Sequence, residues 1–174
     1  MPQKPNKKYP HLKNLHTISM LVANKPGVLV RIALVFARRG FNVDSLVVSP
    51  SVDPRYSRMT ITAQGDIATL DQIVKQTGKL VDVIHASEHT PLDAIEEELA
   101  LFKIRIKPNL RTSAHALLRK YNTKIIDTTN ETLIVEIAGS TEELDEFEKR
   151  LKKFRIIEMI RSGKLVMTRG KDTT

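Results

Sequence analysis

From residue 15 onward, apolar positions recur with two alternating periods. LHTISMLVA (15–23) is a β-branched, apolar run that stops at Asn24-Lys25-Pro26-Gly27, which predicts a strand entering a loop. In the next stretch Leu29, Ile32, Ala33 and Phe36 recur at the three-and-four spacing of one helix face. Pro26 stands where a helix start tolerates proline, and Gly40 where a glycine closes a helix. NVDSLVV (42–48) predicts a second strand and SVDPRYS (51–57) a turn. In RMTITAQ (58–64), Met59, Ile61 and Ala63 alternate with Thr60, Thr62 and Gln64, the period of a half-buried strand, so strands two and three predict a hairpin. Asp66 is placed to cap a helix that carries Ile67, Leu70, Ile73 and Val74 inward and closes at Gly78, before LVDVIHAS (80–87) predicts a fourth strand.

The order βαββαβ is the split, ferredoxin-like plan, an α+β fold whose helices cover one face of an antiparallel sheet and leave the other open to a partner. The order recurs after Pro91. LALFKIRIK (99–107) predicts a strand, LRTSAHALLRKY (110–121) a helix, and KIIDTT and TLIVEIAG two strands. STEELDEFEKRLKKF (140–154) predicts a further helix, with Ser140 and Glu143 in capping-box spacing, Leu144, Phe147 and Leu151 on one face, and acidic residues early and basic ones late. RIIEMIR (155–161) completes the cycle. The expected organisation is two ferredoxin-like domains in tandem: a flexible basic arm at 1–14, a first domain at 15–90, an acidic linker helix at 91–98 and a second domain at 99–174. The second domain has Lys107, Pro108 and Asn109 in place of the first loop's glycine, so it does not repeat whatever Gly27 does.

Composition narrows the function classes. The chain has no cysteine, which excludes disulfides, Cys-ligated metals and a thiol nucleophile and fits a reducing compartment. Apolar runs such as VLVRIALVF are far shorter than a membrane span, and the N-terminus lacks a signal core, so a soluble, cytoplasmic protein with no membrane partner is expected. A formal charge of +8 raises the question of nucleic acid, but Lys4, Lys7, Lys8 and Lys13 supply half of it ahead of the first acidic residue, Asp44. Aromatic residues make up only 5% of the chain and the strand RMTITAQ has none, so the base-stacking platform of an RNA-binding sheet is missing and nucleic acid is not expected.

Metal or hydrolytic chemistry would need convergent His, Asp or Glu. The histidines are scattered: His85 lies on a strand and His89 beyond it, without helical metal-pair geometry, and no acid/base pair is readable. The loop at 24–27 remains. A glycine between strand and helix lets a ligand approach the backbone, and the free N–H groups of a first helical turn favour a carboxylate. The Asn24 amide adds a donor and an acceptor, which suits a zwitterion such as a free amino acid. The alternative is that Asn24 caps the helix, Pro26 fixes its first turn and Gly27 merely packs closely. Spacing by itself leans to that alternative.

NKPGVLVRIALVFARRGFNVDSLVV (24–48), with SRMTI (57–61) and LVDVI (80–84) after it, closely resembles the regulatory small subunit of acetolactate synthase (acetohydroxyacid synthase), whose first domain is an ACT domain. RGFNVDSL (39–46) and DPRYSRMTI (53–61) carry the resemblance most specifically, and it runs to RSGKLVMTRG (161–170). The Lys/Pro-rich arm and RIKPNLRTSAHALLRKYNTK (105–124) depart from it. The resemblance implies a non-catalytic subunit with no cofactor of its own. It implies a separate large catalytic subunit that binds thiamine diphosphate, Mg2+ and FAD, and feedback by branched-chain amino acids, typically valine. It places effector contacts on Asn24, Lys25, Pro26, Gly27, Val28 and Leu29, and on Asn42 and Val43 of the other chain in a homodimer. A stand-alone ACT-type amino-acid sensor and a nucleic-acid-binding ferredoxin-like module are the competing readings.

Overall fold

The computed structural model describes residues 15–90, 92–171 and 174. The basic arm expected at 1–14 and the inward side chain expected of Ile67 lie outside the described residues. The chain divides into two compact units, Met1–Glu96 with Lys164–Thr174, and Glu97–Gly163, so the second domain expected at 99–174 is corrected at its end: Lys164–Thr174 belongs with the first unit, to which Lys164 is tied by its ion pair with Glu96.

In the first unit, β1 (Leu15–Ala23), α1 (Val28–Arg38), β2 (Val43–Pro50), β3 (Tyr56–Gln64), α2 (Ile67–Thr77) and β4 (Val83–His89) follow the expected order. The antiparallel sheet runs β2-β3-β1-β4, with Ile18 opposite Ile61 and Met20 opposite Met59. Ile18, Met20, Val22, Met59 and Ile61 meet Val28, Ile32 and Phe36 of α1 and Leu70 and Ile73 of α2 in one core. Each such side chain taken from water contributes about 1.5–3 kcal/mol.

Two details differ from the pattern. The buried face of α1 is Val28, Ile32 and Phe36, whereas Leu29 is 43% exposed and Ala33 is exposed as well. Arg31 and Arg38 mark one polar stripe on VLVRIALVFAR, but the rest of its circumference is apolar, so the three-and-four spacing fits more than one buried face. The central strands are also buried on both faces: Thr17, Ser19, Thr60 and Thr62 are buried beside the apolar set, so β3 is not the half-buried strand its alternation suggests.

The second unit contains a single 3-10 turn (Pro108–Leu110), α3 (Arg111–Lys120), β6 (Lys124–Thr128), β7 (Thr132–Gly139), α4 (Thr141–Leu151) and β8 (Arg155–Arg161). With β5 (Ala94–Arg105), its strands are ordered β6-β7-β5-β8. Phe102, Ile104, Leu133, Val135, Leu144, Phe147 and Leu151 form the core, with Phe102 and Phe147 edge to face at 5.4 Å. The Ser140–Glu143 capping box forms as expected: the Glu143 N–H donates to Ser140 Oγ and the Ser140 N–H to Glu143 Oε2.

The linker helix expected at 91–98 is corrected, because Ala94–Glu98 opens strand β5. Its acidic composition reads as helical, but two of its carboxylates are matched from far along the chain. Glu96 accepts from Lys164 at 2.5 Å and Glu98 from Arg161 at 2.9 Å. A ninth strand that no pattern suggested, β9 (Leu165–Thr168), also pairs with β5.

Candidate functional site

The loop between β1 and α1 is held at three points. The Asn24 N–H donates to the Arg55 carbonyl at 2.8 Å, Asn24 Nδ2 donates to the Pro54 carbonyl at 3.0 Å, and the Ala23 N–H donates to the Asp82 carbonyl at 2.8 Å. The β2–β3 turn and the loop into β4 therefore brace the residues leading into the helix. The turn is itself braced by Arg55, whose guanidinium grips Asp53 and holds that carboxyl below its usual range.

Gly27 is the N-cap of α1, at φ 83° and ψ −10°, a left-handed conformation that side chains resist. It supplies no side-chain cap, and the Val28 N–H reaches the Lys25 carbonyl at a long 3.4 Å. Among the described residues no side chain caps the first turn, whose backbone N–H groups stand at the positive end of the helix dipole. Two details of the packing alternative differ in the structure. The Asn24 side chain serves the turn and not the helix, and Pro26 precedes the cap rather than opening the first turn. A Cβ on Gly27 would meet only Arg31 Nη1, at an ordinary 3.4 Å, so backbone conformation and not crowding selects glycine. Arg31 leans across to Asp82 with a 2.5 Å ion pair.

Asn24, Lys25, Pro26, Gly27, Val28 and Leu29 lie together at the start of α1, with all but Val28 exposed. Asn42 and Val43 follow its other end, about 16 Å away along an eleven-residue helix. Within one chain the Asn42 amide bonds Asp44 Oδ1 at 3.3 Å and does not join the loop. The bracing partners Pro54, Arg55 and Asp82 were not singled out by sequence. Their roles run through backbone carbonyls, and side-chain identity does not report those.

The histidines do not form a metal pair. His85 is exposed, whereas His89 is buried, with Nε2 at 2.5 Å from Ser19 Oγ and 3.1 Å from Ser87 Oγ. No group of three or more His, Asp or Glu able to hold a metal ion occurs among the described residues. Nor is any helix there long and apolar enough to cross a membrane.

The first unit is thus a ferredoxin-like sheet with a braced glycine loop at the junction of β1 and α1. Residues 18–85 match the AHAS small subunit-like ACT domain, and residues 97–170 match the model described as small subunit of acetolactate synthase. The chain is 38% identical over 155 residues to an Archaeoglobus fulgidus protein named "Probable acetolactate synthase small subunit", covering 89% of this chain and 97% of that one. It is 37% identical to the acetolactate synthase small subunit of Mycolicibacterium smegmatis, over 89% of this chain and 92% of the relative. The crystal structure of the Thermotoga maritima small subunit superposes with a TM-score of 0.82 at 38% identity, covering 91% of this chain and 99% of that chain. This chain belongs to the acetolactate synthase small-subunit family, the regulatory and non-catalytic partners of that enzyme, and its first unit is an ACT domain.

Proposed function

We propose that this chain activates a large catalytic subunit carrying thiamine diphosphate, Mg2+ and FAD, and makes it sensitive to a branched-chain amino acid, valine. The effector's carboxylate would take the first-turn N–H groups after Gly27, while the Asn24 amide, already committed to Pro54 through Nδ2, offers its oxygen to the ammonium. Residues 15–90 would act as the effector-binding and dimerising domain, and Glu97–Gly163 as the second domain.

The observation that carries this reading is the loop itself, braced at three points by two neighbouring segments, with a left-handed glycine and an uncapped first turn. A second observation supports a homodimer. Leu29, Val30 and Leu34 leave an apolar outer face on α1, and Leu46 and Val48 are exposed on β2, an edge strand of the first sheet. Edge-to-edge pairing of β2 about a two-fold axis would cover that edge and bring one chain's Asn42 and Val43 to the loop end of its partner's α1. The ligand would then bridge two chains, and its preference for one dimer arrangement would shift the large subunit's activity, by a coupling of about 1–3 kcal/mol.

The test is reconstitution with a cognate large subunit, measuring acetolactate formation with and without valine. Activation that valine reverses is expected. A stand-alone sensor would bind valine yet leave the large subunit unaffected, and turnover by this chain alone would refute the regulatory reading.

A further inference from the structure

One end of the second unit gathers cations that have no carboxylate partner there. Arg105, at the end of β5, stands directly opposite Arg155, at the start of β8, as Cα partners across the antiparallel pair. Like charges so placed are destabilising. One contact brings the β6–β7 turn to the same end, and two more draw further cations there. The Ile106 N–H donates to the Glu131 carbonyl at 2.8 Å, which brings the β6–β7 turn beside Arg105 and Lys107. Arg111 Nη2 donates to the Thr129 carbonyl of that turn at 2.9 Å, and Lys153 Nζ reaches Ser113 Oγ of α3 at 3.4 Å, two residues before Arg155. Arg105, Lys107, Lys153 and Arg155 are exposed, and none of them meets a carboxylate among the described residues. The acidic side chain in the turn is Glu131, while Glu146 on α4 is already engaged by Arg150 at 3.1 Å.

We infer that this cationic end is a docking surface for an acidic face of the large catalytic subunit, an inference that rests on the regulatory reading above. The cations stand exposed on separate elements, which suits an extended anionic surface. The aromatic side chain among them, Phe154, is buried beneath Lys153, so no ring is offered for base stacking, and an acidic protein face is favoured over nucleic acid. An anionic partner also relieves the Arg105–Arg155 repulsion that the free chain retains. Complementary charge of this kind acts chiefly on encounter and on salt dependence.

The experiment titrates a cognate large subunit with the full chain, reading activation at low and at physiological salt, for wild type, Arg155→Glu and Lys107→Glu. For wild type, the half-saturating concentration should rise with salt. At low salt each variant should raise it about tenfold and flatten its salt dependence. The melting temperature of Arg155→Glu should hold or rise, because the new carboxylate faces Arg105. Lys107→Glu, in a loop, keeps the test sound if the strand variant folds poorly. If wild type activates and both variants match it in half-saturation and salt slope, the docking surface is refuted while the regulatory reading stands. A wild type that activates at no salt concentration refutes the regulatory reading, and the docking surface with it. Loss of binding to a DNA duplex of about 30 base pairs, with activation unchanged, would show the surface to be a polyanion site instead.

Discussion

At the scale of single residues, Gly27 is the position where the ligand reading can be separated from a structural one. Its φ of 83° means that Gly27→Asp carries backbone strain of about 1 kcal/mol, eased because aspartate tolerates the left-handed region and its charge lies at a helix N-terminus. The variant should fold with a modestly lower melting temperature, still activate the large subunit and resist valine. At valine near 100 times its dissociation constant, wild type should gain about 2.7 kcal/mol of stability. The variant should gain much less, and an equal valine shift in a thermal melt would move the effector site elsewhere. Asp93 offers a second test. The Thr90 hydroxyl and the Thr90 N–H both donate to its carboxylate and hold it at about 2, below the ordinary 3.8. A depressed carboxyl stabilises the fold at pH above its ordinary value, and that contribution is lost as pH falls toward 2. Thr90→Ala removes the hydroxyl and leaves the N–H, so an NMR titration should find Asp93 displaced partway back toward 3.8. An unmoved value would assign the whole effect to the backbone donor.

At the scale of elements, the second unit is tied together by Arg161 on β8. Its guanidinium donates to Glu98 Oε2 on β5 at 2.9 Å and to Asp145 Oδ1 on α4 at 2.7 Å, joining two strands and a helix. Burial works against its charge, but the two carboxylates outweigh that and hold Arg161 above its ordinary value. Glu98 and Asp145 are buried, so Arg161→Met withdraws the shared guanidinium from two buried carboxylates, of which Glu98 keeps the Thr141 hydroxyl as a donor. Breaking a buried network from one side costs about 3–5 kcal/mol. Urea unfolding should show a loss of that order; a loss below about 1 kcal/mol, the value of a surface pair, would mean that solvent reaches the network.

At the scale of the whole molecule, the exposed faces of α1 and β2 predict self-association. Wild type should sediment as a dimer or larger at micromolar concentration. Leu34→Glu combined with Val48→Lys, on the outer face of α1 and on edge strand β2, should shift it toward monomer and abolish the valine response while each loop stays intact. A valine response retained by a monomeric variant would confine the effector to one chain. Much of this architecture was legible in the chain's own pattern: the βαββαβ order in both halves, the Ser140 capping box and the loop glycine all follow from local preferences that a few neighbouring residues satisfy. The strand at 94–98 and the face α1 presents were decided only by tertiary structure. Local composition cannot report a Lys164 or Arg161 arriving from more than sixty residues away to neutralise a glutamate on a strand. Nor can periodicity orient a helix that is apolar outside one polar stripe, because the sheet, and not the helix, selects which face it buries.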